Sequence, residues 1–189
     1  KDLSLLFLTD VSLSTDAYTS GKRILDVEKQ SLIIFGEVLN QNNIRFQVDT
    51  FSSRTRNFCE YITQKSFEDS WNKTKGKIGK YEPKGYTRIG PALRHATKLI
   101  SKEKSRKKWI VLLSDGKLND YDKYEGNYGI QDVKQAIKEA KTKGVNVFTL
   151  AVESSAKFYL PLMMGKHFRI LPYPEYLPEA LSSFYEKIK

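Results

Sequence analysis

The sequence predicts an α/β fold in which a parallel β-sheet carries helices on both faces. Three observations lead there. Short apolar runs bounded by turn residues alternate with longer segments of helical periodicity along the whole chain. The runs Leu3–Thr9 and Trp109–Leu113 are almost continuously apolar, as suits strands covered on both faces. The length, 189 residues, suits one domain with a sizeable core and shows no linker or repeat.

Leu3–Thr9 is the first strand, and a polar loop follows it. Lys22–Asn40 reads as a long helix. Leu25, Leu32 and Leu39 recur every seven residues, and Ile24, Val27, Ile34, Phe35 and Val38 widen the apolar stripe. Ile44–Phe51 alternates as a second strand, and Phe58–Thr63 is a weaker third, short enough for a sheet edge. Ser66–Tyr86 holds Gly76, Gly79, Pro83 and Gly85 and reads as one helical turn within a loop. Thr87–Gly90 leads into a helix with Pro91 in its first turn and Leu93, Ala96, Leu99 and Ile100 inward. Trp109–Leu113 is the fourth strand, followed by a long polar loop, Ser114–Gly129. Ile130–Lys143 is a helix ended by Gly144, Val145–Val152 a fifth strand and Phe168–Leu171 a sixth. Glu179–Lys189 closes the chain as a helix. Leu5, Phe7, Ile110, Leu112, Val147 and Phe148 are the expected centre of the core.

Composition removes several function classes. No apolar run approaches the roughly 18 residues that span a bilayer, so membrane insertion is not expected. The single cysteine, Cys59, allows neither an internal disulfide nor a cysteine-based zinc site, and favours a reducing compartment. The formal charge of +10 is concentrated in Lys65–Lys84 and Lys102–Lys108. Neither cluster carries a nucleic-acid motif or an ordered aromatic stripe, so the charge reads as a solvated surface rather than a nucleic-acid footprint. The chain has neither a P-loop nor a dinucleotide fingerprint. It begins at Lys1 and enters a strand at once, which reads as a piece of a longer protein.

Sites of open α/β sheets lie at the carboxyl ends of the strands. There the sequence places Asp10-Val11-Ser12-Leu13-Ser14, three oxygen-bearing side chains at alternate positions of a tight loop. Gly85-Tyr86-Thr87-Arg88-Ile89-Gly90 sets a hydroxyl just before a helix, and Leu113-Ser114-Asp115-Gly116 sets a carboxylate at a strand exit. Each has an ordinary structural reading: a serine-rich turn with a capping aspartate, an N-cap threonine, a turn aspartate. Together and in this order they supply the oxygen ligands a hard divalent cation requires.

The set Asp10, Ser12, Ser14, Thr87 and Asp115 resembles the metal-ion-dependent adhesion site of von Willebrand factor A (VWA) domains, and the resemblance spans essentially the whole chain. It implies a Rossmann-like, doubly wound and mostly parallel sheet of about six strands, with one antiparallel edge strand assigned to Phe58–Thr63. It implies Ser12, Ser14 and Thr87 as hydroxyl ligands of Mg²⁺, with Mn²⁺ or Ca²⁺ as alternatives. Asp10 and Asp115 would act directly or through water, and a partner's acidic residue would complete the coordination. The stretches Thr15-Asp16-Ala17, Asp26-Val27-Glu28-Lys29, Thr87–Arg94 and Ser114–Gly126 further resemble nitric oxide reductase activation proteins and their Rubisco-activating relatives, with Leu118 where proline is expected. That resemblance implies a C-terminal domain, residues 1–189, of a cytoplasmic protein that works with a MoxR-type AAA+ ATPase on a target metalloenzyme. The domain is then a metal-dependent adaptor and not an enzyme.

Two other functions share the site. One is a cell-surface adhesion domain. The other is a Mg²⁺-dependent phosphatase-like hydrolase with Asp10 as nucleophile, which lacks the second aspartate expected where Ser12 stands. Glu28 lies on the apolar face of its helix and is expected to pair with an arginine such as Arg23 or Arg88. Asp120, Asp122 and Glu125 do not fit EF-hand spacing and read as a partner-facing loop. His95, His167 and Cys59 are expected to be structural.

Overall fold

The computed structural model describes residues 2–114, 125–152 and 154–189. In chain order the elements are β1 (Leu3–Asp10), a short ribbon of β2 (Tyr18–Thr19) and β3 (Lys22–Arg23), α1 (Ile24–Gln41), β4 (Arg45–Thr55), β5 (Phe58–Lys65), α2 (Trp71–Ile78) and α3 (Ile89–Ile100). Then come β6 (Lys107–Leu113), α4 (Gly126–Thr142), β7 (Asn146–Ala151), α5 (Leu160–Met164), β8 (Phe168–Ile170) and α6 (Leu177–Ile188). The main sheet has six strands in the order β5-β4-β1-β6-β7-β8. Every neighbouring pair is parallel except β4 with β5, so the expected antiparallel edge strand is β5, extended to Lys65.

All eight residues of β1 are buried, because side chains alternate between two covered faces. Leu3, Leu5 and Phe7 join Leu32, Phe35 and Leu39 of α1, Trp71 of α2 and Leu181 and Phe184 of α6. Leu6 and Leu8 join Leu93 and Ala96 of α3, Val133 and Ala140 of α4 and Leu160 of α5. Each fully buried leucine or phenylalanine contributes about 1.5–3 kcal/mol. The first layer is also aromatic, with Phe7 and Phe35 edge to face at 5.8 Å. Trp71 seats directly on Gly36: a Cβ there would stand 2.4 Å from the indole, so glycine is what lets α2 approach α1.

Several element expectations need correction. Ile34 and Val38 are exposed, since at about 100° per residue they rotate off the stripe centred on Leu32 and Phe35. Lys22 and Arg23 belong to the ribbon and not to α1. The segment between β5 and α3 holds two helical turns, α2, and not one. α4 begins at Gly126, four residues before Ile130, and α6 begins at Leu177. Gly126, Asn127 and Gly129 are poor helix formers and hide that first turn in the sequence. The short α5 was not expected at all.

Candidate functional site

Asp10 ends β1 with no exposed surface. Its Oδ1 accepts a hydrogen bond from the Ser12 N–H at 2.8 Å. Its Oδ2 accepts from the Thr87 hydroxyl at 3.0 Å and from the Ser114 hydroxyl at 2.8 Å. Three distant segments therefore converge on one carboxylate. Sheet register explains the last contact: β1 and β6 run parallel with Thr9 opposite Leu113, which puts Asp10 level with Ser114.

The loop after β1 turns at once into a 3-10 turn over Leu13–Asp16. The Thr15 hydroxyl donates to the Ser12 carbonyl at 2.7 Å and tightens that turn. The Ser12 and Ser14 hydroxyl oxygens come to 2.9 Å of each other, Ser12 buried and Ser14 exposed. Thr87 does not cap α3. The N-cap residue is Arg88, and the Thr87 side chain is spent on Asp10. Its segment is pinned to the end of β4 by Tyr86 N–H to Ser53 O at 2.7 Å and the reciprocal bond at 2.9 Å. Gly85 permits this approach. Its φ is +67°, and a Cβ would stand 2.5 Å from the Ser53 carbonyl oxygen. The two loops are then joined directly by Leu13 N–H to Gly85 O at 3.0 Å and Lys84 N–H to Val11 O at 2.7 Å.

Arg23 adds an ionic tie. Its guanidinium lies 2.8 Å from Asp16 in the first loop, 2.7 Å from Glu82 ahead of Thr87, and 3.5 Å from Asp26 at the start of α1. The Glu82 hydrogen bond chiefly holds the Arg23 pKa above its ordinary value, and the same bond lowers that of Glu82. Glu28, expected to pair with an arginine such as Arg23 or Arg88, is buried. Burial, and then Glu28, push the Tyr81 hydroxyl above its ordinary range.

The hydroxyls open onto a cleft of about 490 Å³ between Ser12–Ser14, Gly85–Thr87 and the first turn of α4. Of the five proposed site residues the structure brings Asp10, Ser12, Ser14 and Thr87 together. Asp115 lies outside the described residues, as do Asp120 and Asp122. Ser114 was missed as a participant. The signal was available in its position, one residue past an all-apolar strand, but Asp115 beside it drew the chemical reading. Among the described residues no group of three His, Cys, Asp or Glu side chains could hold a metal. His95 packs on Tyr61 at 4.4 Å, whereas Cys59, expected to be packed, is exposed.

The model of the von Willebrand factor type A domain matches residues 4–166. The chain belongs to the von Willebrand factor type A domain family. This VWA domain is 39% identical over 189 residues to Protein NorD of Brucella melitensis, covering 99% of the chain and 30% of that protein. It is 41% identical over 167 residues to Protein NorD of Stutzerimonas stutzeri, covering 87% of the chain and 27% of that protein. The chain thus spans under a third of the length of these relatives. In fold it resembles the PilB minor pilin of Streptococcus sanguinis, with a TM-score of 0.77 at 18% identity, over 98% of this chain and 61% of that one. It also resembles a von Willebrand factor type A protein from Catenulispora acidiphila, with a TM-score of 0.67 at 16% identity, over 96% of this chain and 41% of that one. Among the described residues no helix is long and apolar enough to cross a membrane.

Proposed function

We propose that this VWA domain is a metal-dependent adaptor. Ser12, Ser14 and Thr87 hold a divalent cation, Mg²⁺ in preference to Mn²⁺ or Ca²⁺, and Asp10 and Asp115 support them directly or through water. The observation that carries the proposal is the hydroxyl convergence around Asp10. Thr87 donates its proton to Asp10, which turns the oxygen lone pairs away from the carboxylate and leaves them for a cation. The 2.9 Å between the Ser12 and Ser14 oxygens fits two adjacent corners of an octahedron. Those corners lie about 2.8–3.0 Å apart for metal–oxygen bonds of ~2.0–2.1 Å.

A site so poor in carboxylates leaves a bound dication with attraction for an external anion. We read that anion as an acidic side chain of a partner protein. The likeness to Protein NorD supports a role in a cytoplasmic activation protein that works with a MoxR-type AAA+ ATPase on a metalloenzyme such as nitric oxide reductase. A hydrolytic role is disfavoured. Asp10 would be the nucleophile, yet it is fully buried and both its oxygens accept hydrogen bonds.

Calorimetry tests the site. Mg²⁺ should bind the wild-type domain and bind at least tenfold more weakly to Ser12→Ala and to Thr87→Ala. Unchanged binding in both variants removes the assignment. The purified cognate ATPase or target enzyme should then associate in Mg²⁺ and dissociate in chelator.

A further inference from the structure

The cleft beside the hydroxyl cluster has an apolar lip. Leu13 stands between Ser12 and Ser14, lines the cleft and is 56% exposed. It is not loose, because its N–H is fixed to the Gly85 carbonyl. Ile130 and Tyr159 also line the cleft, both half-buried and packed against the core. Phe158, next to Tyr159, and Leu162 on α5 are largely exposed. An exposed leucine on a pinned backbone beside a polar cluster suits a recognition site, where an apolar wall supplies affinity and a few polar groups supply orientation.

Charge restricts what fits. The chain is strongly basic, which selects a net-acidic partner. Glu125, however, lies on the α4 side of the same cleft. It disfavours a second carboxylate there and leaves that side to an uncharged group.

We propose that the occupant is an extended segment of an acidic partner protein in which a carboxylate residue is flanked by a bulky aliphatic side chain. The carboxylate meets the hydroxyl cluster, and the apolar side chain lodges between Leu13, Ile130 and Tyr159. This rests on the metal-dependent reading above and adds the specificity rule. Burying one leucine-sized side chain makes the preference for such a segment tenfold or more.

Two end-blocked peptides test it, Gly-Leu-Asp-Leu-Gly and Gly-Ser-Asp-Ser-Gly, which carry equal charge. Each is titrated to millimolar concentration against the domain in Mg²⁺ and in chelator, with binding read from amide NMR shifts. The leucine peptide should bind at least tenfold more tightly, only in Mg²⁺, with shifts at Leu13 and Ile130. In Leu13→Ser the preference should fall below about threefold, with Mg²⁺ affinity measured alongside to show that the loop is intact. Equal, Mg²⁺-dependent binding of both peptides overturns the specificity rule and leaves the metal reading standing. Mg²⁺-independent binding of the leucine peptide overturns the proposed coupling of the two surfaces. If Mg²⁺ binds and neither peptide does, the carboxylate-docking reading fails and this inference fails with it.

Discussion

Two carboxylates, Asp10 and Asp49, are fully buried in neighbouring strands and meet different environments. Asp10 collects an N–H and two hydroxyls. Asp49 accepts from the Gln47 amide at 2.8 and 3.0 Å and from the Tyr61 hydroxyl. Burial nonetheless dominates and pushes Asp49 up to about 6, with Tyr61, Gln47 and Thr63 pulling it back. A raised carboxyl pKa means that the folded state binds the proton more tightly than the unfolded chain. That stabilisation is fully present below the unfolded value near 3.8 and is lost as pH rises through about 6. Asp49→Asn should therefore gain on the wild type between pH 4 and pH 8, by at most about 3 kcal/mol. Denaturant melts across that range check it, and a difference that does not vary with pH would show that Asp49 is not the titrating group. Residue identity made Asp10 legible as a site group through its spacing to Ser12 and Ser14. Nothing local marked Asp49, whose environment comes from strand pairing and burial.

At the scale of elements, the ribbon of β2 and β3 sets the loops of the site. It turns through Ser20 and Gly21, both at positive φ, and delivers Arg23 between Asp16 and Glu82. Exposed ion pairs contribute little individually, but a guanidinium can span several carboxylates at once, and Arg23 is itself only 16% exposed. Arg23→Gln should weaken Mg²⁺ binding about three- to tenfold while changing stability by less than about 1 kcal/mol. Calorimetry beside a thermal melt separates the two. Wild-type affinity in the variant would mean that the backbone bonds between Leu13 and Gly85 and between Lys84 and Val11 hold the loops unaided. Helical periodicity revealed α1 and α3 because their stripes are long. It missed α5, five residues with Pro161 at its start, because one turn carries no period.

Across the whole molecule, the core and the candidate metal site are separable. Leu5, Phe7, Ile110, Leu112 and Val147 are buried without any contribution from the hydroxyl cluster, and Phe148 stacks on Phe184 at 4.7 Å. The domain should keep its circular dichroism in excess chelator. Saturating Mg²⁺ should raise stability only by mass action, about 2.7 kcal/mol at a hundredfold excess over Kd. Loss of structure on chelation would instead make the metal part of the fold.

The sequence by itself determined the type and order of most elements, the parallel sheet and the three motifs that meet at its carboxyl edge. Hydrophobic period, turn residues and oxygen spacing are local properties that survive without coordinates. Only the tertiary structure decided that Thr87 serves Asp10 and not the helix after it, and that Ser114 shares that carboxylate from 104 residues away. It alone set Leu13 as the apolar lip of the cleft. Those outcomes depend on the register of β1 against β6 and on the close approach that Gly85 permits, and both are relations between segments that no single stretch of sequence contains.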